Sequence, residues 1–221
     1  MLLRTPDLET PLYSVVEQRT KSVACPAWEI RAYEDFSVCS FDVPSTNSAD
    51  SSTSGSAVGA PKGGPQGFNS LAGYIFGRNQ EAIKMSMTTP VMTYESDDDG
   101  KDSGKMKMSF IMPSNYWGED KLGTAPTPVE GSGVTVEMSP VLQKGVKTFA
   151  VLWFGGYSTN GVSEKKKTQL QTALKEDAEY EVVPGAKPFL SQFNDPFQPP
   201  WKRRNEVSIS IRKRGTESES E

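Results

Sequence analysis

The sequence predicts an α+β fold with antiparallel strand pairing, organised as two related halves of one domain. Three observations carry this. Short runs rich in β-branched and aromatic residues recur along the chain, bounded by Gly, Pro, Asn, Asp or Ser. Two stretches switch to helical spacing: GFNSLAGYIFGRN (67–79) and VSEKKKTQLQTALKEDA (162–178). The order strands, helix, strands occurs twice, which suits helices packed on an antiparallel sheet.

In chain order, LYSVVEQ (12–18), AWEIRAYE (27–34) and FSVCSFDV (36–43) read as strands. In the second, Trp28, Ile30 and Ala32 share one face, and Glu29, Arg31 and Tyr33 the other. Phe68, Leu71, Ala72, Ile75 and Phe76 fall on one side of the first helix, and Gly77 is placed to end it. Short strands follow around 84–88, 90–95 and 105–112, then a Pro/Gly-punctuated connection over 113–132. Strands at 134–141 and 147–157 lead into the second helix, with Leu170, Ala173, Leu174 and Val162 on its apolar side and Lys165, Lys166 and Lys167 on a solvated face. Strands near 180–183, 188–193 and 206–212 close the chain.

The 221 residues suffice for one good core, at about 150 residues per domain. That domain spans 12–213, after an N-terminal extension over 1–11 and before an acidic tail over 214–221. Residues 44–65 are almost wholly Ser, Thr, Gly, Pro and Ala, so they form a disordered insertion. ESDDDGKDSG (95–104) is an acidic turn.

Composition closes several function classes. A net charge of −4 gives no reason to expect a nucleic-acid partner, and the Lys202–Arg203–Arg204 run is too short for a phosphate track. No stretch reaches the ~20 apolar residues that a transmembrane helix needs. MLLRTPDLETP is too short and too soon interrupted for a secretory signal. Two cysteines make no disulfide scaffold, and a reducing compartment is the default. The chain has 0 histidines, which removes Ser-His-Asp and Cys-His catalysis, His-containing zinc sites and a His-ligated haem iron. A binding role rises by elimination.

KMSMTTPVMT and KMKMSFIM hold Met85, Met87, Met92, Met106, Met108 and Met112, most of the 8 methionines. Alternation with Lys and Ser puts Met85 and Met87 on one strand face, while the Thr88–Thr89–Pro90 bend frees Met92 to face elsewhere. A copper(I) thioether site falls away because period-2 spacing already explains the pattern. Core packing and an apolar cleft against the helix of Leu71, Ile75 and Phe76 both remain; the cleft suits a flat hydrophobic molecule. Cys25, before Pro26, is either a thiolate ligand for haem iron or a cysteine in a turn. Cys39 reads as buried packing. Gly155 and Gly156 mark a strand end where backbones approach closely, and Arg203, Arg204, Asn205 and Glu206 read as a structural latch.

YIFGRN, KMSMTTPVMT, KMSFIMPSNY and DPFQPPWKRRNEV, with DLETPLYSVVE and WEIRAYE, together resemble the SOUL/haem-binding protein family from about residue 7 to 212. The resemblance implies a distorted antiparallel β-barrel of two pseudo-symmetric halves flanked by two α-helices. It also implies non-enzymatic, reversible binding of haem or a related tetrapyrrole, as a carrier or buffer. The ligand would lie against Leu71, Ile75, Phe76, Met85 and Met87, with Arg78 or Lys84 reaching a propionate. Family members place basic residues on the first helix and in the loop before Arg-Arg-Asn-Glu. Here Phe68 to Phe76 carry none, and that loop reads Phe197, Gln198, Pro199, Pro200, Trp201. This departure motivates an alternative: a protein-interaction module on the same barrel. An enzyme of tetrapyrrole metabolism would have to use carboxylates, Tyr, Lys or Cys. The opening and the polar insertion are most similar to plant and algal members, several of them chloroplast proteins; a cytoplasmic protein is the alternative.

Overall fold

The computed structural model describes residues 8–23, 25–43, 64–95, 105–142, 146–195 and 198–215. Ten strands form one sheet: β1 (Tyr13–Arg19), β2 (Trp28–Tyr33), β3 (Ser37–Val43), β4 (Val91–Glu95), β5 (Met106–Ile111), β6 (Val134–Met138), β7 (Thr148–Gly155), β8 (Tyr180–Val182), β9 (Phe189–Gln192) and β10 (Arg204–Lys213). The helices are α1 (Gly64–Ile75), the four-residue α2 (Glu119–Leu122) and α3 (Asn160–Glu176). The expected insertion, acidic turn and tail fall almost wholly outside the described residues, although α1 already begins at Gly64.

Strand order is β1–β2–β7–β10–β9–β4–β5–β3–β6, with β8 added to β10, and every ladder is antiparallel. The order is close to a palindrome about the β9–β4 pair. One side reads β4–β5–β3–β6 with α1 between β3 and β4; the other reads β9–β10–β7–β2 with α3 between β7 and β9. The halves join where Val91, Met92 and Thr93 pair with Gln192, Ser191 and Leu190. The sheet curls without closing, and this distorted barrel of two pseudo-symmetric halves is the architecture expected from the sequence.

Period-2 alternation divides the side chains into three cores. Trp28, Ile30, Leu152, Val207 and Ile209 pack beneath Leu170 and Leu174 of α3. Phe41, Met108 and Phe110 pack beneath Leu71, Tyr74 and Ile75 of α1. The face opposite the helices carries Phe36, Val38, Met92, Ile111, Phe149 and Phe189. Met92 therefore does face away from Met85, as the bend at Thr88–Pro90 suggests, and the Thr89–Pro90 peptide is cis.

Some local expectations are corrected. Residues 84–88 form no strand: the segment's ladder contact is an isolated bridge between Thr88 and Glu9. The connection over 113–132 contains a 3-10 turn (Ser114–Tyr116) as well as α2, so a third, short helix joins the two expected. Helix α3 starts two residues early because the Thr159 side chain caps it, accepting from the Val162 N–H. Val162 is exposed, whereas Lys167 is buried and ion-paired with Glu164 at 3.2 Å, so the lysine run is not wholly solvated.

The latch is real and extensive. Arg203 Nε donates to Gln198 O (2.7 Å), and Asn205 Nδ2 to Gly156 O (2.9 Å). Glu206 accepts from Arg204 and Arg31. Gly156, at φ +85, donates its N–H to Pro200 O at 3.1 Å, the close backbone approach expected there.

Candidate functional site

Helix α1 has two chemically different faces. Phe68, Leu71, Tyr74 and Ile75 recur at helical spacing and turn inward. The Phe68 ring meets Phe110 edge-on at 5.2 Å, and Tyr74 Oη donates to Pro126 O at 2.6 Å. On the outward side stand Asn69 and Gly73, with the partly buried Ala72 at the edge of the core, and these small side chains leave a low surface.

The end of α1 shapes the site. Gly77 adopts φ +101, its N–H donates to Tyr74 O (3.3 Å), and the Arg78 N–H donates to Gly73 O (2.7 Å). This paired closure uses a left-handed residue that glycine supplies at no steric cost. Asn79, itself buried, then fixes the following loop: Nδ2 donates to Tyr74 O and Ile83 O, and Oδ1 accepts from the Ile83 N–H at 2.9 Å. The reversal swings Arg78 back over the helix, so that a Cβ on Gly73 would stand 3.1 Å from Arg78 Cδ. Lys84 returns beside Gly77, whose hypothetical Cβ would lie 3.2 Å from Lys84 Cγ.

The result is an open groove of about 510 Å³ lined by Asn69, Ala72, Gly73, Phe76 and Arg78. Phe76 is 56% exposed at the helix end. Among the described residues neither Arg78 nor Lys84 is ion-paired. Exposed aromatic surface, a low floor and two cations match a flat apolar molecule with carboxylates at its edge.

Of the seven binding residues expected from the sequence, Phe76, Arg78 and Lys84 lie together at this end of α1. Leu71, Ile75 and Met85 lie behind it, buried against Met108 and Phe110, and Met87 packs at the margin of the same core. Asn69 and Gly73 were not singled out by sequence reasoning. Their signal is small or polar residues opposite the apolar stripe of a helix.

Cys25 lies elsewhere, 2% exposed in the core under α3. Its N–H donates to Ser22 Oγ (3.1 Å) and its carbonyl accepts from the Ser22 N–H (2.9 Å), a turn before β2. Burial pushes its thiol pKa up, against a smaller lowering by Lys166. Cys39 is buried within β3, and burial pushes its thiol up to about 12. Among the described residues no three Cys, Asp or Glu side chains converge as a metal-binding group would require.

Fold and groove together define a class: pseudo-symmetric α+β sheet proteins that carry one helix on each half. Two solved structures from Listeria innocua, described as a hydrolase and an uncharacterized conserved protein, share this fold at TM-scores of 0.51 and 0.52. Each covers 84% of this chain and 91% or 92% of its own, at 12% and 11% identity. Within that class the chain belongs to the SOUL heme-binding protein family, whose model matches residues 8–210. It is also similar to human Heme-binding protein 2, at 29% identity over 141 residues that make up 64% of this chain and 62% of that protein.

Proposed function

We propose that this protein binds haem reversibly, without catalysing a reaction on it, on the outer face of α1. The carrying observation is Phe76 and Arg78 beside the Ala72–Gly73 floor, with Lys84 next to Gly77 at the helix end, in a chain of the SOUL family. In this reading the macrocycle lies along the helix with one face on Phe76. Arg78 and Lys84 pair with its carboxylates, and the buried Leu71, Ile75 and Met85, with the partly buried Met87, back the helix from behind. Contact of this kind reads the ring and its carboxylates and leaves the iron's chemistry to the ligand.

Hemin and metal-free protoporphyrin titrated into the pure protein, followed by the porphyrin absorption band and tryptophan quenching, test this directly. Saturable binding of both is expected. It weakens severalfold in Phe76→Ala, where about 1 kcal/mol of ring contact is lost. Arg78→Ala weakens it less, by the ~0.2–1 kcal/mol of an exposed ion pair, and that share fades with salt. Absence of saturable hemin binding overturns the reading. Unaltered binding in both variants moves the site off α1.

A further inference from the structure

Between Arg78 and Lys84, at the edge of the α1 groove, the backbone takes a conformation that side chains rarely adopt. Ala82 stands at φ +54, the one residue other than glycine with a positive φ among the described residues. A Cβ in that conformation crowds the neighbouring carbonyl. The loop keeps it because other bonds hold the turn closed.

Those bonds come from one side chain. Asn79 is 6% exposed, and its amide commits both protons and its oxygen locally. Nδ2 donates to Tyr74 O at 3.1 Å and to Ile83 O at 2.7 Å, while Oδ1 accepts from the Ile83 N–H at 2.9 Å. The Ala82 N–H adds a bond to Asn79 O at 3.1 Å. Asn79 therefore grips Ile83 by its N–H and its C=O and ties it to the last turn of α1.

The segment over 126–128 braces the same loop from outside. Tyr74 Oη donates to Pro126 O (2.6 Å), the Gln80 N–H to Thr127 O (2.9 Å), and the Thr127 N–H to Glu81 Oε2 (2.8 Å). These bonds hold Gln80 and Glu81 and do not reach Ile83. Lys84 lies between Ile83, held by Asn79, and Met85, whose N–H donates to Ile75 O at 2.8 Å.

We propose that Asn79 is a positioning residue of the α1 groove, fixing where Arg78 and Lys84 stand before a ligand arrives; this role rests on haem binding at that groove. Arg78 precedes Asn79 in the chain and folds back over Gly73, while Lys84 follows Ile83 and returns beside Gly77. One buried amide thus sets the backbone from which both cations spring. Two cations anchored in this way suit a ligand with two carboxylates at one edge. The attraction between exposed charges is small, so the ordering of a loosely held loop at each binding event would cancel much of it. A loop closed in advance avoids that loss.

The test is a double-mutant cycle on the whole protein. Hemin is titrated at low and high salt into the unmodified protein, Asn79→Ala, the pair Arg78→Ala with Lys84→Ala, and all three changes together. Asn79→Ala is expected to bind hemin severalfold more weakly, with a flatter salt dependence. In the protein lacking both cations it is expected to cause no further loss. An equal loss in the two backgrounds overturns the role, because Asn79 then supports only the helix end. Unaltered affinity in folded Asn79→Ala overturns it too. Asn79→Asp, which keeps the acceptor for the Ile83 N–H and loses both donations, enters the same cycle if the alanine variant does not fold. The Ile83 amide of the unmodified, ligand-free protein needs no variant: slow hydrogen exchange that hemin leaves unchanged is expected, and fast exchange overturns a loop closed in advance. Absence of saturable hemin binding by the unmodified protein overturns haem binding at the groove and this role with it. Saturable binding together with any of the other adverse results overturns the role of Asn79 alone.

Discussion

Arg31 and Glu206 stand 175 residues apart in the chain and meet at 3.0 Å, with side chains only 4% and 2% exposed. Arg31 also holds Glu29 at 2.7 Å, and Glu206 also accepts from Arg204. The four groups are charge-balanced and join β2 to β10 across the intervening β7.

Removing the Glu206 charge leaves the buried Arg31 guanidinium with only the partly exposed Glu29 as counter-charge, and Arg204 with none in the network. Glu206→Gln is therefore expected to cost ~3–5 kcal/mol, the usual loss when one partner of a buried pair is deleted. Urea denaturation of the two proteins measures it. A loss below about 1 kcal/mol would show that water or a neighbouring carboxylate replaces the pair.

Asp177 gives a pH signature. Burial alone would raise its pKa, but the Arg19 guanidinium at 2.8 Å and the N–H groups of Tyr180 and Glu179 outweigh that and hold it below the ordinary carboxylate value. The native pKa is depressed, so the stabilisation is fully present above the unfolded value of about 4. It is lost as pH falls through the lower native value. Asp177→Asn is expected to lower Tm at neutral pH and to flatten the acid limb of the Tm–pH curve. Parallel acid limbs in the two proteins would rule this out.

Gly73 separates stability from binding. In a helix interior glycine costs about 0.5–1 kcal/mol relative to alanine. A Cβ there meets the flexible Arg78 side chain rather than backbone. Gly73→Ala is expected to raise Tm and to weaken hemin binding, because Arg78 is displaced and the floor is raised. Tighter hemin binding in this variant would remove the floor from the site.

The two thiols should be silent in the native state. Both are buried, and burial raises both pKa values, that of Cys39 to about 12. Neither is expected to react with Ellman's reagent at about pH 8 until the protein is unfolded, since thiolate is the reacting form. Cys25→Ala is expected to leave the hemin spectrum unaltered, and a shifted band would establish thiolate ligation.

Much of the fold could be read before the structure because period-2 alternation is local information. The split of β2 into Trp28/Ile30 and Arg31/Tyr33 faces is visible in six consecutive residues. The segment carrying Met85 and Met87 shows the limit of that signal. It alternates like a strand, yet a helix end accepts it through the Met85 N–H to Ile75 O bond at 2.8 Å, with no ladder along it. Phe76 fits the apolar stripe by spacing, but α1 ends at Ile75, the chain turns at Gly77 and the ring stands exposed. The small cavity lined by Tyr13, Tyr33, Phe149 and Phe189 was illegible, since its lining comes from separate strands and loops between Thr10 and Phe193 and depends on register alone.

The near-palindromic strand order has a consequence for biosynthesis. In the half built on α1, β6 completes the sheet immediately after β5, so that half can close as it leaves the ribosome. Its counterpart position in the other half is filled by β2, made near the start of the chain, whose partner β7 follows only after the whole first half. The leading hairpin of β1 and β2 must wait, with Trp28 and Ile30 uncovered, for strands of high sequence separation. Until β7 is made, the β1–β2 hairpin therefore stays sticky beside a finished half-domain, and it is there that a chaperone holding the growing chain would do most good.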